Sequence, residues 1–360
     1  MIELVRYKMK ILQVIDTLDV GGAERVLVDL SNILYENGVE VAVCTIVNRG
    51  KMADKLNNGI EHYNIGRDIK YSLLKMYQFY KIAKEFQIVH VHMRYNLKYV
   101  WLIKKLFLLK NKIVFHDHYG NIKNDKKVTL LMKIIILDTF YIGVSHELCT
   151  WAKKFSKDIK HIYHLSNIIR KNITYNNFKS KKERILIISN FKRQKNIEFA
   201  VELFATYRKN DEIYFDIYGQ PVDQRYLEEI KSKIDSKSIN DSINIIHNCS
   251  DTQAILKNYR FAIHTSKSES GPLVLLEYMS QGIPFLAYRT GEVAEKIADY
   301  FPDFIMDDLN IDKWVNQIKK LMNSDLKQIE TKMISYFETN YSEKKYYSKC
   351  ISIYQNVLIS

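Results

Sequence analysis

Proline and glycine are scarce in this chain, at 4 and 12 of 360 residues. Long disordered or linker-like regions are rich in such residues, so none is expected. No segment repeats at a solenoid period, and none is of low complexity. Cysteine is equally thin. Cys44, Cys149, Cys249 and Cys350 stand far apart, in no CxxC or Cys/His spacing. That argues against a zinc site or a disulfide framework, and for a reducing, cytoplasmic compartment. Long apolar runs are also missing. The two longest, Tyr99–Leu109 and Val128–Leu137, are interrupted by Lys104, Lys105 and Lys133, so no membrane-spanning helix is expected. The opening MIELVRYKMKILQVID alternates apolar and charged residues and runs into a strand pattern, unlike the apolar core of a secretory signal.

What is present is an apolar share of 47%, enough at this length to fill two domain cores, and an excess of positive charge, 54 Lys and Arg against 41 Asp and Glu. Part of the net +13 reflects a composition rich in Lys, Asn, Ile and Tyr. A basic surface still attracts nucleic acid, anionic lipid or phosphorylated substrates. Without an RNP-type or zinc-finger signature, nucleic acid is not expected as a partner.

Strand-like and helix-like segments alternate. Lys10–Ile15 reads as a strand, followed by the turn Asp19–Gly22 and a helical stripe of Ala23, Val26, Leu27, Leu30, Ile33 and Leu34. Gly38 sits where a left-handed cap belongs. Glu40–Val47, Gln87–His92, Lys112–His116 and Phe140–Val144 read as further strands, with helices over Ser72–Phe86 and Leu97–Leu109. A second series starts at Glu183. Its strands are Arg184–Ser189, Ile213–Tyr218, Ile243–Ile246, Phe261–Thr265 and Ile283–Tyr288, and its helices Asn196–Arg208, Gln224–Ile234 and Pro272–Gln281. Such alternation predicts an α/β protein with two facing Rossmann-like domains of parallel sheet and a site in the cleft between them. The expected division is a first domain over 1–167, a linker over 168–182, a second domain over 183–338 and a C-terminal helix within 339–360.

Four constellations carry chemistry. Gly21 and Gly22 lie between a strand and a helix, where backbone N–H groups meet an anion, although a plain tight turn would look the same. The spacing is not GxGxxG, so a dinucleotide is disfavoured. In Ser268-Glu269-Ser270-Gly271-Pro272-Leu273-Val274-Leu275-Leu276-Glu277, Pro272 fits the first helical position and the N–H groups near Leu273 and Val274 are free. That helix start can hold a diphosphate while Glu269 and Glu277 accept hydrogen bonds from sugar and ribose hydroxyls. Lys195, with Lys192 and Arg193 beside it, can neutralise a leaving diphosphate. A solvated basic turn is the bland alternative. Last, His116-Asp117-His118 follows a strand. His90 and His92 share a strand face, which with His116 and His118 raises the idea of a metal centre, but nothing at ligand spacing completes it and no metal is expected.

Together these residues resemble the retaining glycosyltransferases of family 4, which have the GT-B fold. The family's Gly-Gly-x-Glu-Arg turn stands here as Gly21-Gly22-Ala23-Glu24-Arg25, and its paired glutamates as Glu269 and Glu277. Gly282-Ile283-Pro284, Gly143-Val144-Ser145, Asn167 and the turn Thr290-Gly291-Glu292-Val293 match further features, so the likeness covers nearly the whole chain. The resemblance implies that Glu269 contacts donor-sugar hydroxyls, Glu277 the nucleotide ribose and Lys195 the diphosphate. The family's arginine is replaced by Asn190, and Arg193 is the candidate for the missing cation. A histidine near the reacting sugar is implied, with His116 first and His118 second. His118 and Arg25 are the acceptor-side candidates.

The implied reaction is retaining transfer from a nucleotide-sugar, with UDP the expected nucleotide, to a glycan or polyprenyl-diphosphate-linked acceptor in surface polysaccharide assembly such as capsule or O-antigen. No carboxylate stands out as a covalent nucleophile, unlike the paired acids of retaining glycosidases, so front-face attack is expected, with no metal and no cofactor. By family analogy the C-terminal helix packs back on the first domain. The basic, Trp101-bearing segment Leu97–Lys112 suggests peripheral contact with the anionic inner face of a plasma membrane, against the reading of an ordinary core helix with a solvated basic face. The rival readings are a GT-B-shaped nucleotide-sugar epimerase and a basic nucleic-acid-binding protein.

Overall fold

The computed structural model describes residues 9–122, 125–155, 161–171, 182–208, 213–247, 249, 251–256 and 258–360. The chain divides into two compact units, one of residues 1–170 with 343–360 and one of residues 171–342. Of the expected linker, residues 172–181 lie outside the described part.

The first unit runs β1 (Lys10–Ile15), α1 (Gly22–Glu36), β2 (Glu40–Thr45), a 3-10 turn (Lys51–Lys55), β3 (Glu61–Asn64), α2 (Leu73–Ala83), β4 (Ile88–His92), α3 (Arg94–Phe107), β5 (Lys112–Asp117), α4 (Leu130–Leu137), β6 (Phe140–Gly143), α5 (His146–Lys153) and β7 (Ile162–His164). The strands form one parallel sheet in the order β3-β2-β1-β4-β5-β6-β7. Strand order reverses between β1 and β4, and the crevice at the carboxyl ends of those strands is where such sheets take ligands. The central strands are buried on both faces, which is why they are mostly apolar, with the buried polar residues Gln13, His90 and His92 set among the apolar ones.

The second unit runs β8 (Lys182–Ile188), a 3-10 turn (Arg193–Lys195), α6 (Ile197–Arg208), β9 (Tyr214–Tyr218), α7 (Gln224–Ser236), β10 (Ile243–Ile246), α8 (Thr252–Leu256), β11 (Tyr259–His264), α9 (Leu273–Ser280), β12 (Phe285–Tyr288), α10 (Gly291–Tyr300), β13 (Ile305–Met306), α11 (Ile311–Met322) and α12 (Leu326–Asn340). Its parallel sheet is ordered β10-β9-β8-β11-β12-β13, so its switch point lies between β8 and β11.

The last helix, α13 (Glu343–Ile359), returns to the first unit. Tyr346, Cys350, Ile353, Tyr354 and Val357 recur at helical spacing, and all five are buried in one cluster with Leu27, Leu30 and Leu34 of α1. Arg170 ties the same corner: its guanidinium meets Glu36 at the end of α1 and Glu343 at the start of α13, and its N–H donates to Asp29. The opposite sheet face is covered by α2, α3, α4 and α5, which bury Phe79, Ile103, Ile135 and Trp151 in a second cluster.

Local details depart from expectation for identifiable reasons. Gly38 takes φ +79 just past α1, as a left-handed cap requires. Pro272 caps α9 from outside instead of occupying its first turn. The helix expected over Leu97–Leu109 starts earlier, at Arg94, and ends when Leu108 adopts φ +52, a cap usually made by glycine. Trp101 is half-buried at the surface of the unit, where its indole N–H donates to Asp138 at 2.7 Å.

Candidate active site

In the second unit, Lys195 and Glu269 meet. Lys195 follows β8 in a single 3-10 turn that ends on Asn196, left-handed at φ +53. The turn is stitched to the segment after β11: Thr265 donates its hydroxyl to the Lys195 and Asn196 carbonyls, Ser266 donates to the Gln194 carbonyl, and so does the Lys267 N–H. These bonds bring Lys195 Nζ onto Glu269 Oε1 in a largely buried ion pair.

His264, the last residue of β11, completes the cluster with Nε2 3.7 Å from the same Glu269 oxygen. Sequence reasoning passed over it. A lone histidine at a strand end carries little signal, and only the β11 register places it under Glu269. Burial, helped by the Lys195 charge and opposed by Glu269, pushes the His264 ring down to about 4, so it is neutral near pH 7. Burial disfavours ionisation of Glu269. The Lys195 charge, His264 and hydrogen bonds from Lys195 and Ser266 outweigh it and hold the carboxyl below its usual range.

Glu277 lies on α9, buried, and Thr252 at the start of α8 donates its hydroxyl to Glu277 Oε1 at 2.7 Å. Neither glutamate is turned out to bulk water. Gly271 is buried, while Leu273 and Val274, at the open start of α9, are partly exposed. The loop leading there is held by the start of α10: the Glu292 N–H donates to the Ser270 carbonyl, and Gly291 lies against Pro272 and Glu269 at φ +76.

The two candidates for the second cation are placed differently. Asn190 accepts the Gln220 N–H on its side-chain oxygen at 3.0 Å, so it anchors the turn after β9. Arg193 is exposed, pairs with Glu229 of α7 and lies over the Tyr226 ring. It is not brought to Lys195 and Glu269, because the 3-10 turn puts its side chain on the α7 side.

In the first unit, Gly21 caps α1 in extended backbone, φ −161, a conformation open to any residue. Its constraint is lateral: a Cβ there would run into the Glu24 carboxylate. Gly22 opens α1. Behind the turn Gly50, at φ +67, packs so closely on the Leu18–Asp19 backbone that a Cβ would not fit, and Met52 donates its N–H to the Leu18 carbonyl at 2.7 Å. Arg25 is drawn along its helix to Asp29 at 3.0 Å and is mostly buried, so it packs α1 and offers little to an acceptor.

The four histidines form a stack at the carboxyl ends of β4 and β5, with neighbouring ring centroids 4.3–5.2 Å apart. His116, favoured from sequence as the active-site ring, is fully buried and neither ring nitrogen has a hydrogen-bond partner. It has no surface to offer a ligand, and the candidate moves to His118, which is partly exposed. His118 Nε2 lies 3.0 Å from His92 Nδ1, whose Nε2 is 2.9 Å from the Gln13 oxygen. Gln13 in turn donates to the Tyr354 hydroxyl on α13, which also bonds His90 at 2.6 Å. Burial depresses all four rings, His118 down to about 3 despite the opposing Asn167, so all are neutral imidazoles near pH 7. Nitrogens of His90, His92 and His116 lie within 4.8 Å of one another. Both His92 nitrogens are already engaged, so a metal would have to break one of those bonds, and the group reads as a hydrogen-bonded stack.

Asp117, between the two histidines, is locked by Arg94 at 2.8 Å, the Tyr141 hydroxyl at 2.9 Å and the Tyr119 N–H at 3.1 Å. It fixes the loop that carries His118 and is not available as a nucleophile.

Two family models match the chain and together span residues 20–339: Glycosyltransferase Family 4 over residues 20–191 and Glycosyl transferases group 1 over residues 169–339. A glycosyltransferase of Haemophilus influenzae is 22% identical over 316 residues, covering 84% of this chain and 87% of its own. The amylovoran biosynthesis glycosyltransferase AmsD of Erwinia amylovora is 23% identical over 341 residues, covering 88% and 91%. Among solved structures, HepE of Anabaena, crystallised with UDP and glucose, superposes with a TM-score of 0.79 at 14% identity, covering 96% of this chain and 99% of that one. The chain belongs to the glycosyltransferases of this group 1 and family 4 type, built on the GT-B fold.

Proposed function

We propose that this glycosyltransferase moves a sugar, with retention at the anomeric carbon, from a UDP-sugar held by the second unit to a glycan or polyprenyl-diphosphate-linked acceptor in surface polysaccharide synthesis. The observation that carries the reading is the Lys195–Glu269–His264 cluster at the switch point of the second sheet, and α9 of the same unit carries the buried Glu277. Lys195 swings from Glu269 to the diphosphate and neutralises the leaving charge. The first N–H groups of α9, near Leu273 and Val274, take the remaining phosphate oxygens, so no metal is required. Glu269, released from Lys195, accepts donor-sugar hydroxyls. Glu277, steadied by Thr252, accepts the ribose hydroxyls. Because Asp117 is locked, the favoured path is front-face attack, in which a diphosphate oxygen takes the acceptor's proton as the C1–O bond breaks and the new glycosidic bond forms. His118 is the histidine assigned to the sugar side, and its ring gives up its bond to His92 or to Asn167 to act there.

UDP in the HepE structure supports the choice of nucleotide, and the role named for AmsD supports the class of product. AmsD and the Haemophilus influenzae relative are both named as glycosyltransferases, which disfavours epimerisation. The test is donor binding and turnover with a panel of nucleotide sugars. UDP-sugar is expected to raise Tm, since it binds only the folded chain. Lys195→Ala and Glu269→Ala are each expected to lower kcat/KM by roughly 10²-fold or more. Turnover should survive EDTA, and the product's anomeric configuration, read by NMR, should match the donor's. Full activity in either variant would refute the assignment.

A further inference from the structure

Large apolar side chains left in solvent are unevenly distributed. Of the twenty such residues among those described, twelve lie on α2, α3, α4 and their immediate flanks in the first unit, and three lie in the second unit. The helices explain the pattern. On α4, Met132, Ile135 and Ile136 face the core, while Leu130, Leu131, Ile134 and Leu137 form an outward stripe, Leu130 being 72% exposed. On α2, Met76 and Phe79 are buried, while Leu73, Leu74 and Tyr77 face out. On α3 the outward face carries Lys98, Leu102, Lys105 and Leu106. The three helices cover one face of the same sheet, and α3 packs between α2 and α4, so the exposed stripes are neighbours.

Charge on these helices has one sign. Neither α2, α3 nor α4 contains an aspartate or glutamate, yet together they carry Lys75, Lys81, Arg94, Lys98, Lys104, Lys105 and Lys133. Lys126 and Lys127 are exposed just before α4. By contrast, α7 of the second unit carries Glu228, Glu229 and Asp235. Cations also lie over rings at this surface, Lys81 5.1 Å from Tyr77 and Lys105 5.5 Å from Trp101. A lysine-rich surface, on which Asp138 at the end of α4 pairs with Lys105 at 2.8 Å, with protruding leucines and half-buried aromatic rings matches one occupant well. Headgroup phosphates pair with the lysines while the leucines enter the acyl boundary. A second copy docking through the same face would set two basic surfaces against each other. Nucleic acid offers nothing for the leucines to enter.

We propose that the outward faces of α2, α3 and α4 form a docking surface for an anionic lipid bilayer. The surface is wider than the single α3 segment legible in the sequence, and α4 supplies most of its apolar contact. None of the described helices is long and apolar enough to cross a membrane, so contact is peripheral. The inference deepens the reading of a lipid-linked acceptor but rests on surface chemistry, not on the donor site.

The test is flotation of the full chain with vesicles of phosphatidylcholine alone and of phosphatidylcholine mixed with phosphatidylglycerol, at low and high salt. Binding is expected only to the anionic vesicles, weakening with salt. The paired variants Leu130→Asp with Ile134→Asp, and Leu73→Asp with Leu74→Asp, are expected to lose it. Lys126→Glu with Lys127→Glu should weaken it about fivefold or more per charge. Val222→Asp, an exposed apolar site of the second unit, should leave it unchanged. A UDP-induced rise in Tm on each variant shows that it is folded. No binding by the unaltered chain, equal binding by the α4 and α2 variants, or a change of oligomeric state in those variants without vesicle binding would each overturn the proposal. Vesicle binding without any nucleotide response would overturn the transferase reading and leave this one standing.

Discussion

Acid should loosen the second unit through one buried ring. His264 has an ordinary pKa of 6.5 in the unfolded chain and one of about 4 in the folded site. A folded pKa below the unfolded one means that the unfolded chain takes up the proton first. The stabilisation is therefore complete above about pH 6.5 and is lost as pH falls toward about 4. Between about pH 7.5 and about pH 5 the unfolded histidine becomes almost fully protonated and the folded one hardly at all. At about 1.4 kcal/mol per unit, the loss over that interval comes to about 2 kcal/mol. Glu269, held below its usual range, adds only a small loss of the same sign near pH 5, where the unfolded glutamate begins to take up a proton. The depressed histidines of the first unit have the same sign, so the reading must be local. Hydrogen exchange of the β11 peptide, followed through urea unfolding at both pH values, supplies that. His264→Asn should remove about 2 kcal/mol of the pH dependence in that peptide, whatever it does to stability at neutral pH. Equal pH dependence in the two chains would refute the assigned burial of His264 beneath Glu269.

Other substitutions probe the remaining supports. Gly291→Ala puts a Cβ 2.9 Å from Pro272 Cδ and 3.1 Å from Glu269 Cβ at a positive φ; a loss of about 1–3 kcal/mol in urea unfolding, together with weaker UDP binding by calorimetry, is expected. Tyr354→Phe leaves His90 and Gln13 without their shared hydroxyl and should cost about 1–3 kcal/mol, read as a lower Tm with UDP affinity unchanged. His118→Ala should lower kcat/KM, and should lower Tm less than His116→Ala does, because its ring is the partly exposed one of the stack. His116→Ala should lower Tm first, because it hollows a packed stack.

Much of the architecture is written in periodicity. β1, β4 and β5 are sealed on both faces, so they are dominated by apolar residues and their limits came within a residue or two of those observed. Edge strands obey weaker rules. β3 is Glu-His-Tyr-Asn, polar and half-exposed, and β13 has two residues, so neither leaves a pattern to read. The site divides in the same way. Glu269, Glu277 and Lys195 stand in local motifs and were legible. His264 was not, because its partner lies across a loop whose course depends on bonds from Thr265, Ser266 and Lys267. The choice between His116 and His118 turned on burial alone, which two alternating histidines on one strand end do not reveal.

Because α13 belongs with β1 and α1 while every element from β8 to α12 forms the other unit, the polypeptide leaves the first unit and later returns to it. During synthesis on a ribosome the second unit is therefore complete before the first can close. Until α13 emerges, the outer flank of α1 with Leu27, Leu30 and Leu34, and the polar end of Gln13 and His90, lack their lid. Quality control that senses uncovered apolar surface would read this enzyme as unfinished until its last turn of helix is made.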